Sequence, residues 1–142
     1  MSKENIETIT FDYGQKHKIE LESARIVAEI AEVPNIIIPI DTFKKLGGNS
    51  LIDDSINVNK ETKNNLPSTF VPGRNLIFLT YSAAFAYQKG IHNLVTGVAQ
   101  TDYSGYPDCR DSTIQALEQS INLGMEYDIK IHTPLMHLSK KE

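Results

Sequence analysis

Cysteine is nearly missing from this chain: Cys109 is the only one in 142 residues. A lone thiol closes no internal disulfide and builds no cysteine-rich zinc site, so a reducing compartment is the natural setting. Long apolar runs are missing too. The longest, Leu76 to Tyr87, is interrupted by Thr80 and Ser82, well short of the ~20 residues that cross a bilayer. The opening residues, Met1-Ser2-Lys3-Glu4-Asn5, are polar with no apolar signal region behind them. These absences together predict a soluble cytoplasmic protein. Positive charge is in deficit, with a formal net charge of -4 at pH 7, which gives no bulk support to nucleic-acid binding. A mildly acidic chain still binds anions locally, through backbone N–H groups and single basic side chains. Gly47-Gly48-Asn49-Ser50 lacks the Lys-[Ser/Thr] ending of a P-loop. Internal repeats and low-complexity tracts are absent.

What remains is globular: 40% hydrophobic and 23% charged residues, with length enough for one domain around one core. Ile6 to Phe11 alternates and is rich in β-branched residues, which predicts a strand; Asp12-Tyr13-Gly14-Gln15 turns out of it. Lys16 to Glu32 has helical periodicity, with Leu21, Ala24, Val27, Ala28 and Ala31 on the inner face, and Pro34 stops it. Ile36-Ile37-Ile38 reads as a strand buried on both faces. Asp41 caps a short helix to Leu46. Asn49 to Pro67 is polar and aperiodic, either a functional loop or a partly disordered stretch. Gly73-Arg74-Asn75 opens a helix to about Lys89 with apolar residues on nearly every side, predicting full burial, and Gly90 closes it. Asn93 to Val98 is the next strand. Asp111 or Ser112 caps a helix with Ile114, Leu117 and Ile121 facing inward and Gly124 at its end. Ile129 to His132 is the last strand. The alternation predicts a parallel sheet covered by helices on both faces, a three-layer α/β fold. Ligands bind such sheets outside the carboxyl ends of the strands.

Three post-strand segments carry the unusual chemistry: Asp12 to Gln15, Gly97 to Arg110, and His132 to Leu138. Gly97 to Arg110 gathers two tyrosines, two carboxylates, Cys109 and Arg110. Aromatic faces suit a flat heterocycle and Asp, Gln and Ser suit its edge, while an ordinary turn-rich loop with Asp108 and Asp111 as caps fits the same residues. Arg74 at a helix N-terminus suits a phosphate or is a solvated arginine beside a cap. Asp12 can hold a ribose hydroxyl or a metal-bound water, or simply start a turn. Cys109 reads as an inert thiol rather than a nucleophile, and His132 and His137 as strand-end and loop histidines rather than a zinc pair.

Several strings together resemble the 7-cyano-7-deazaguanine synthase family, also called QueC or ExsB. They are Thr10-Phe11-Asp12-Tyr13-Gly14-Gln15, Lys44 to Leu51, Leu66 to Asn75, Thr96 to Asp111, and Ile131-His132-Thr133-Pro134-Leu135-Met136. Asp-Tyr-Ser-Gly-Tyr-Pro-Asp-Cys-Arg, residues 102–110, is the most specific. The resemblance implies an adenine-nucleotide α-hydrolase-like fold of the N-type ATP-pyrophosphatase group. It implies conversion of 7-carboxy-7-deazaguanine, ammonia and ATP to the nitrile preQ0, with Mg²⁺ assisting ATP and a structural zinc elsewhere in the family. By position it places Asp12, Tyr13, Gln15 and Gly97 on the nucleotide side. It places Arg74 and Asp102 in catalytic roles, Arg74 facing phosphate or the adenylate. Gln100, Asp102, Tyr103, Tyr106, Asp108 and Arg110 would line the deazapurine pocket, and no residue is assigned to a metal. The family pattern opens with a strand and a Ser-Gly-Gly-Leu-Asp-Ser loop and closes with four zinc-binding cysteines. Neither string occurs in residues 1–142. The expectation is therefore one partial domain over 1–142 lacking the first strand-loop-helix unit, working as a homodimer or with a complementary fragment, with no membrane or nucleic-acid partner. Another ATP-pyrophosphatase and a non-catalytic interaction module are the rival readings.

Overall fold

The computed structural model describes residues 6–15, 18–47, 69–100 and 105–139. The polar stretch 49–67 lies outside the described residues. The described chain divides into two compact units, one with residues 6–15, 18–47 and 69–71, the other with 72–100 and 105–139.

The first unit contains β1 (Thr8–Asp12), α1 (Ile19–Ala31), β2 (Asn35–Pro39) and α2 (Thr42–Leu46). β1 and β2 pair in parallel with Thr8 opposite Asn35 and Asp12 opposite Pro39. The Asn35 side chain strengthens that register, because its Oδ1 accepts from the Thr8 and Thr10 hydroxyls at 3.0 and 2.9 Å. α1 carries Glu20 and Glu22 in its first turn, where carboxylates favour the helix dipole. It ends in a Schellman motif: Glu32 adopts a left-handed φ of 57°, its N–H donates to Glu29, and the Val33 N–H donates to Ala28. Tyr13 and Phe43 meet edge to face at 6.2 Å inside this unit.

Packing here departs from the sequence expectation in two places. Of the predicted inner face of α1, Ala28 is buried but Val27 is 64% exposed. Ile37 is 49% exposed, so β2 is not covered on both faces. A groove of about 540 Å³ runs between α1 and β1, lined by Ile6, Ile9, Ala24, Val27, Ala31 and Val33. α1 is amphipathic as its periodicity predicts; what periodicity does not contain is how much surface the neighbouring elements bring to cover it.

The second unit contains α3 (Arg74–Lys89), β3 (Asn93–Val95), a 3₁₀ turn (Pro107–Cys109), α4 (Asp111–Met125) and β4 (Lys130–His132). β3 and β4 pair in parallel, Leu94 opposite Ile131. Leu79, Ala83 and Ala86 of α3 pack with Ile114 and Ile121 of α4, and with Ile129, Ile131 and Met136. The buried residues of α3 form one stripe, and Tyr81 and Tyr87 are about half exposed. This corrects the expectation of a helix buried on every side. α3 ends at Gly90, as its left-handed φ of 68° requires. α4 runs past Gly124 to Met125 and ends at Glu126, whose φ is 47°. Gly124 is helical, so the terminator signal was placed two residues early.

The outer edge of β4 is sealed by side chains of α4. The Glu118 carboxylate accepts from the Ile131 N–H at 2.7 Å and from Lys130 Nζ at 3.0 Å. One turn later, Asn122 Oδ1 accepts from the Ile129 N–H while its Nδ2 donates to the Ile129 carbonyl, both at 2.8 Å. The amide group thus copies the pairing a neighbouring strand would offer. Partial burial opposes ionisation of Glu118. The Ile131 N–H and Lys130, with His132 adding a smaller pull, outweigh it and hold the carboxyl below its ordinary range. Among the described residues, no helix is long and apolar enough to cross a membrane.

Candidate functional site

The segments leaving β3 and β4 run side by side. The Thr96 N–H donates to the His132 carbonyl at 2.9 Å, and the Gln100 N–H donates to the Met136 carbonyl at 3.0 Å. This carries the paired strands outward past their carboxyl ends, the place where parallel sheets bind ligands. Gly97 is exposed on this run, and among the described residues a Cβ there would meet a Leu135 methyl at 3.7 Å. Packing among the described residues does not demand glycine at 97.

The N-termini of α3 and α4 both meet the turn Pro107–Cys109. The N-cap of α3 is Gly73, which has no side chain to offer. Its place is taken from 33 residues away by Asp108, whose Oδ2 accepts from the Asn75 N–H at 3.0 Å. A carboxylate suits this end of a helix on both hydrogen-bonding and dipole grounds. Gln100 does the same for α4, its Oε1 accepting from the Asp111 N–H at 3.1 Å. Thr113 Oγ1 donates to the Pro107 carbonyl at 2.7 Å and anchors the turn. Tyr106, just before the turn, lies under the Arg74 guanidinium, 5.9 Å from its ring centroid, within cation–π range. Arg110 is the exposed N-cap residue of α4.

The turn after β1, in the other unit, is built on itself. Asp12 Oδ1 accepts from the Gly14 N–H at 3.2 Å, and Oδ2 lies 3.8 Å from Lys18 Nζ. Gly14 has φ 86°, and a Cβ there would collide with the Lys44 side chain. Gln15 is buried, accepting from the Tyr13 N–H at 3.0 Å and donating to the Phe11 carbonyl at 3.5 Å. Tyr13 is buried as well.

Arg74, Tyr106 and Asp108 therefore come together at the head of α3, and Gln100 and Arg110 at the head of α4. Asp12, Tyr13 and Gln15 share the first unit's turn. Asp102 and Tyr103 lie outside the described residues. His132 Nε2 is 2.9 Å from Asn93 Oδ1 across the strand pair, a strand-end contact. Asn75, which the sequence places at the start of this helix, has no site role in the sequence reading, and its contacts here give it one. Among the described residues, none of the predicted site residues lines the groove of the first unit. No three His, Cys, Asp or Glu side chains gather into a metal-binding group among the described residues.

Parallel strands joined by helices, with polar and aromatic residues collected on the segments that leave their carboxyl ends, define an α/β chain. The family described as queuosine biosynthesis protein QueC matches residues 1–142, and the chain belongs to that family. It is 57% identical over 139 residues to the 7-cyano-7-deazaguanine synthase of Chromobacterium violaceum, a match that covers 96% of this chain and 59% of that protein. The synthase of Laribacter hongkongensis is 55% identical over 139 residues, with 96% and 61% covered. That of Bacteroides fragilis is 51% identical over 135 residues, with 94% and 62% covered. The chain thus spans about 60% of the length of these relatives.

Proposed function

We propose that the chain carries part of an ATP-dependent 7-cyano-7-deazaguanine synthase, a C–N-bond-forming ligase of queuosine biosynthesis working in the cytoplasm. The observation that carries this reading is identity of 51–57% along almost the whole chain to proteins named for that activity. Its substrates would be 7-carboxy-7-deazaguanine, ammonia and ATP. In this reading the chain is part of an ATP-pyrophosphatase-like domain with a three-layer α/β fold. A homodimer or a complementary fragment is the assembly this reading expects.

The chemistry asks for a carboxylate to be activated twice by a nucleotide, first for amide formation and then for dehydration to the nitrile. What these residues supply is position and charge. Arg74 is a fixed cation for phosphate or adenylate oxygen, and it has to serve that role as a side chain. The Asn75 N–H beside it already donates to Asp108, so the head of α3 is not an open anion cradle. Tyr106 offers a ring face to the flat deazapurine, with Gln100, Asp108 and Arg110 near it; Asp102 and Tyr103 are assigned to the same ligand by their place in the string 102–110. Gly97 lets a ligand approach the backbone closely. On the nucleotide side, Asp12 retains partial exposure, with 29% of its side chain accessible, and Tyr13 and Gln15 shape the turn that presents it.

Thermal denaturation of the chain with ATP and with 7-carboxy-7-deazaguanine tests the reading. At ligand concentrations about a hundred times Kd, stabilisation of ~2.7 kcal/mol is expected, a shift of several degrees. If neither compound moves the midpoint, the reading is wrong.

A further inference from the structure

The head of α3 holds a closed ring of three hydrogen bonds. The Asn75 N–H donates to Asp108 Oδ2 at 3.0 Å, and the same residue's Nδ2 donates to Cys109 Sγ at 3.2 Å. The Cys109 thiol in turn donates to Asp108 Oδ1 at 3.9 Å, the longest of the three. Asp108 and Cys109 are only 5% and 7% exposed. A buried carboxylate is costly unless its oxygens are satisfied, and here both oxygens have donors from this one ring. The only cysteine of the chain accepts from one partner and donates to the other, which an apolar residue of its size could not do.

The members of the ring flank two of the groups proposed to face the ligand, Arg74 and Tyr106. Arg74 precedes Asn75, and Tyr106 lies two residues before Asp108. Their cation–π contact at 5.9 Å is near the outer limit of such interactions, so it does not by itself hold the two elements together. We infer that Asn75 and Cys109 are positioning residues: with Asp108 they lock the 105–110 segment to the head of α3 and so fix Arg74 against Tyr106. This rests on the ligand roles proposed for Arg74 and Tyr106. A second consequence is that loop order and the capping of α3 are one event, because the helix has no cap of its own at Gly73.

The test compares Cys109→Ser, which keeps a donor and an acceptor, with Cys109→Val, which removes both, and adds Asn75→Ala. In ¹H–¹⁵N spectra of the full chain, the Arg74 Nε–H resonance is expected to carry a ring-current shift from Tyr106, given their 5.9 Å contact. That shift is expected to persist in Cys109→Ser and to collapse in Cys109→Val and Asn75→Ala, while the Ile121 and Ile129 amides stay in place. Iodoacetamide reports the same lock, since there is one thiol to modify: Asn75→Ala is expected to alkylate at least about tenfold faster than wild type. Binding of 7-carboxy-7-deazaguanine should weaken about tenfold in Cys109→Val and within about threefold in Cys109→Ser. An unchanged Arg74 resonance in Cys109→Val, or unchanged alkylation in Asn75→Ala, overturns the inference. A wild-type chain that binds no deazapurine yet shows both ring effects overturns the ligand reading and leaves the lock standing.

Discussion

The two units solve the same problem, a two-stranded parallel sheet beside amphipathic helices, to different degrees. In the second, Ile129 is 1% exposed, α3 and α4 share one core, and Glu118 and Asn122 seal the β4 edge. In the first, Val27 is 64% and Ile30 76% exposed, and an apolar groove lies open between α1 and β1. Similar helical periodicity thus yields a closed core in one place and an uncovered face in the other. An apolar stripe is an offer of surface; only a partner of the right shape converts it into stability.

The contrast breaks or sharpens under substitution. Ile129→Ala should cost about 2–5 kcal/mol in urea denaturation, as for a large-to-small change in a closed core. Asn122→Ala comes next, at about 1–3 kcal/mol, because the Ile129 N–H and carbonyl each lose a partner where water has little access. Glu118→Gln should cost about 1–2 kcal/mol at pH 7 by removing a charge-assisted pair of bonds. Its pH dependence has a fixed sign. The folded carboxyl titrates below its ordinary value of 4.5, so its contribution is complete above that value and fades as pH falls through the lowered one. The wild-type and Glu118→Gln stability curves should therefore converge in acid; curves that stay parallel would remove the charge from the account.

Two smaller changes compare the units directly. Glu32 and Glu126 both hold left-handed φ at helix ends, where glycine relieves about 1 kcal/mol of strain. Glu126→Gly should raise global stability by about that amount. Glu32→Gly should slow amide hydrogen exchange of α1 more than it shifts the global midpoint, because a unit with less buried surface opens locally first. Equal effects on the global midpoint would mean that the units unfold as one. At the bottom of the scale, Val27→Ser should stay within about 0.5 kcal/mol, as exposed positions do.

Much of the fold could be read before any coordinates. The strand from Ile6, the break at Pro34, the helix from Gly73-Arg74 to Gly90 and the post-strand loop beginning at Gly97 all lie close to their observed places. Local chemistry writes such signals: β-branched alternation, a missing proline N–H, a glycine that tolerates positive φ. The site was legible as a set of residues but not as an arrangement. Asp108 was weighed as a pocket residue or as a cap for the helix that follows it, and it caps the helix that begins 34 residues earlier. Cys109 was read as inert, and its thiol closes a buried ring. Asn122 and Glu118 carried no signal, because an asparagine in a helix does not announce which strand it will seal.

By itself, then, the sequence determined element type, order and most boundaries, along with membership of the QueC family, since these follow from interactions a few residues long and from matching strings. Tertiary structure alone decided which apolar faces were covered, who caps α3, and that Asn75, Asp108 and Cys109 meet. Those outcomes depend on contacts between positions more than 30 residues apart, whose geometry no local pattern encodes.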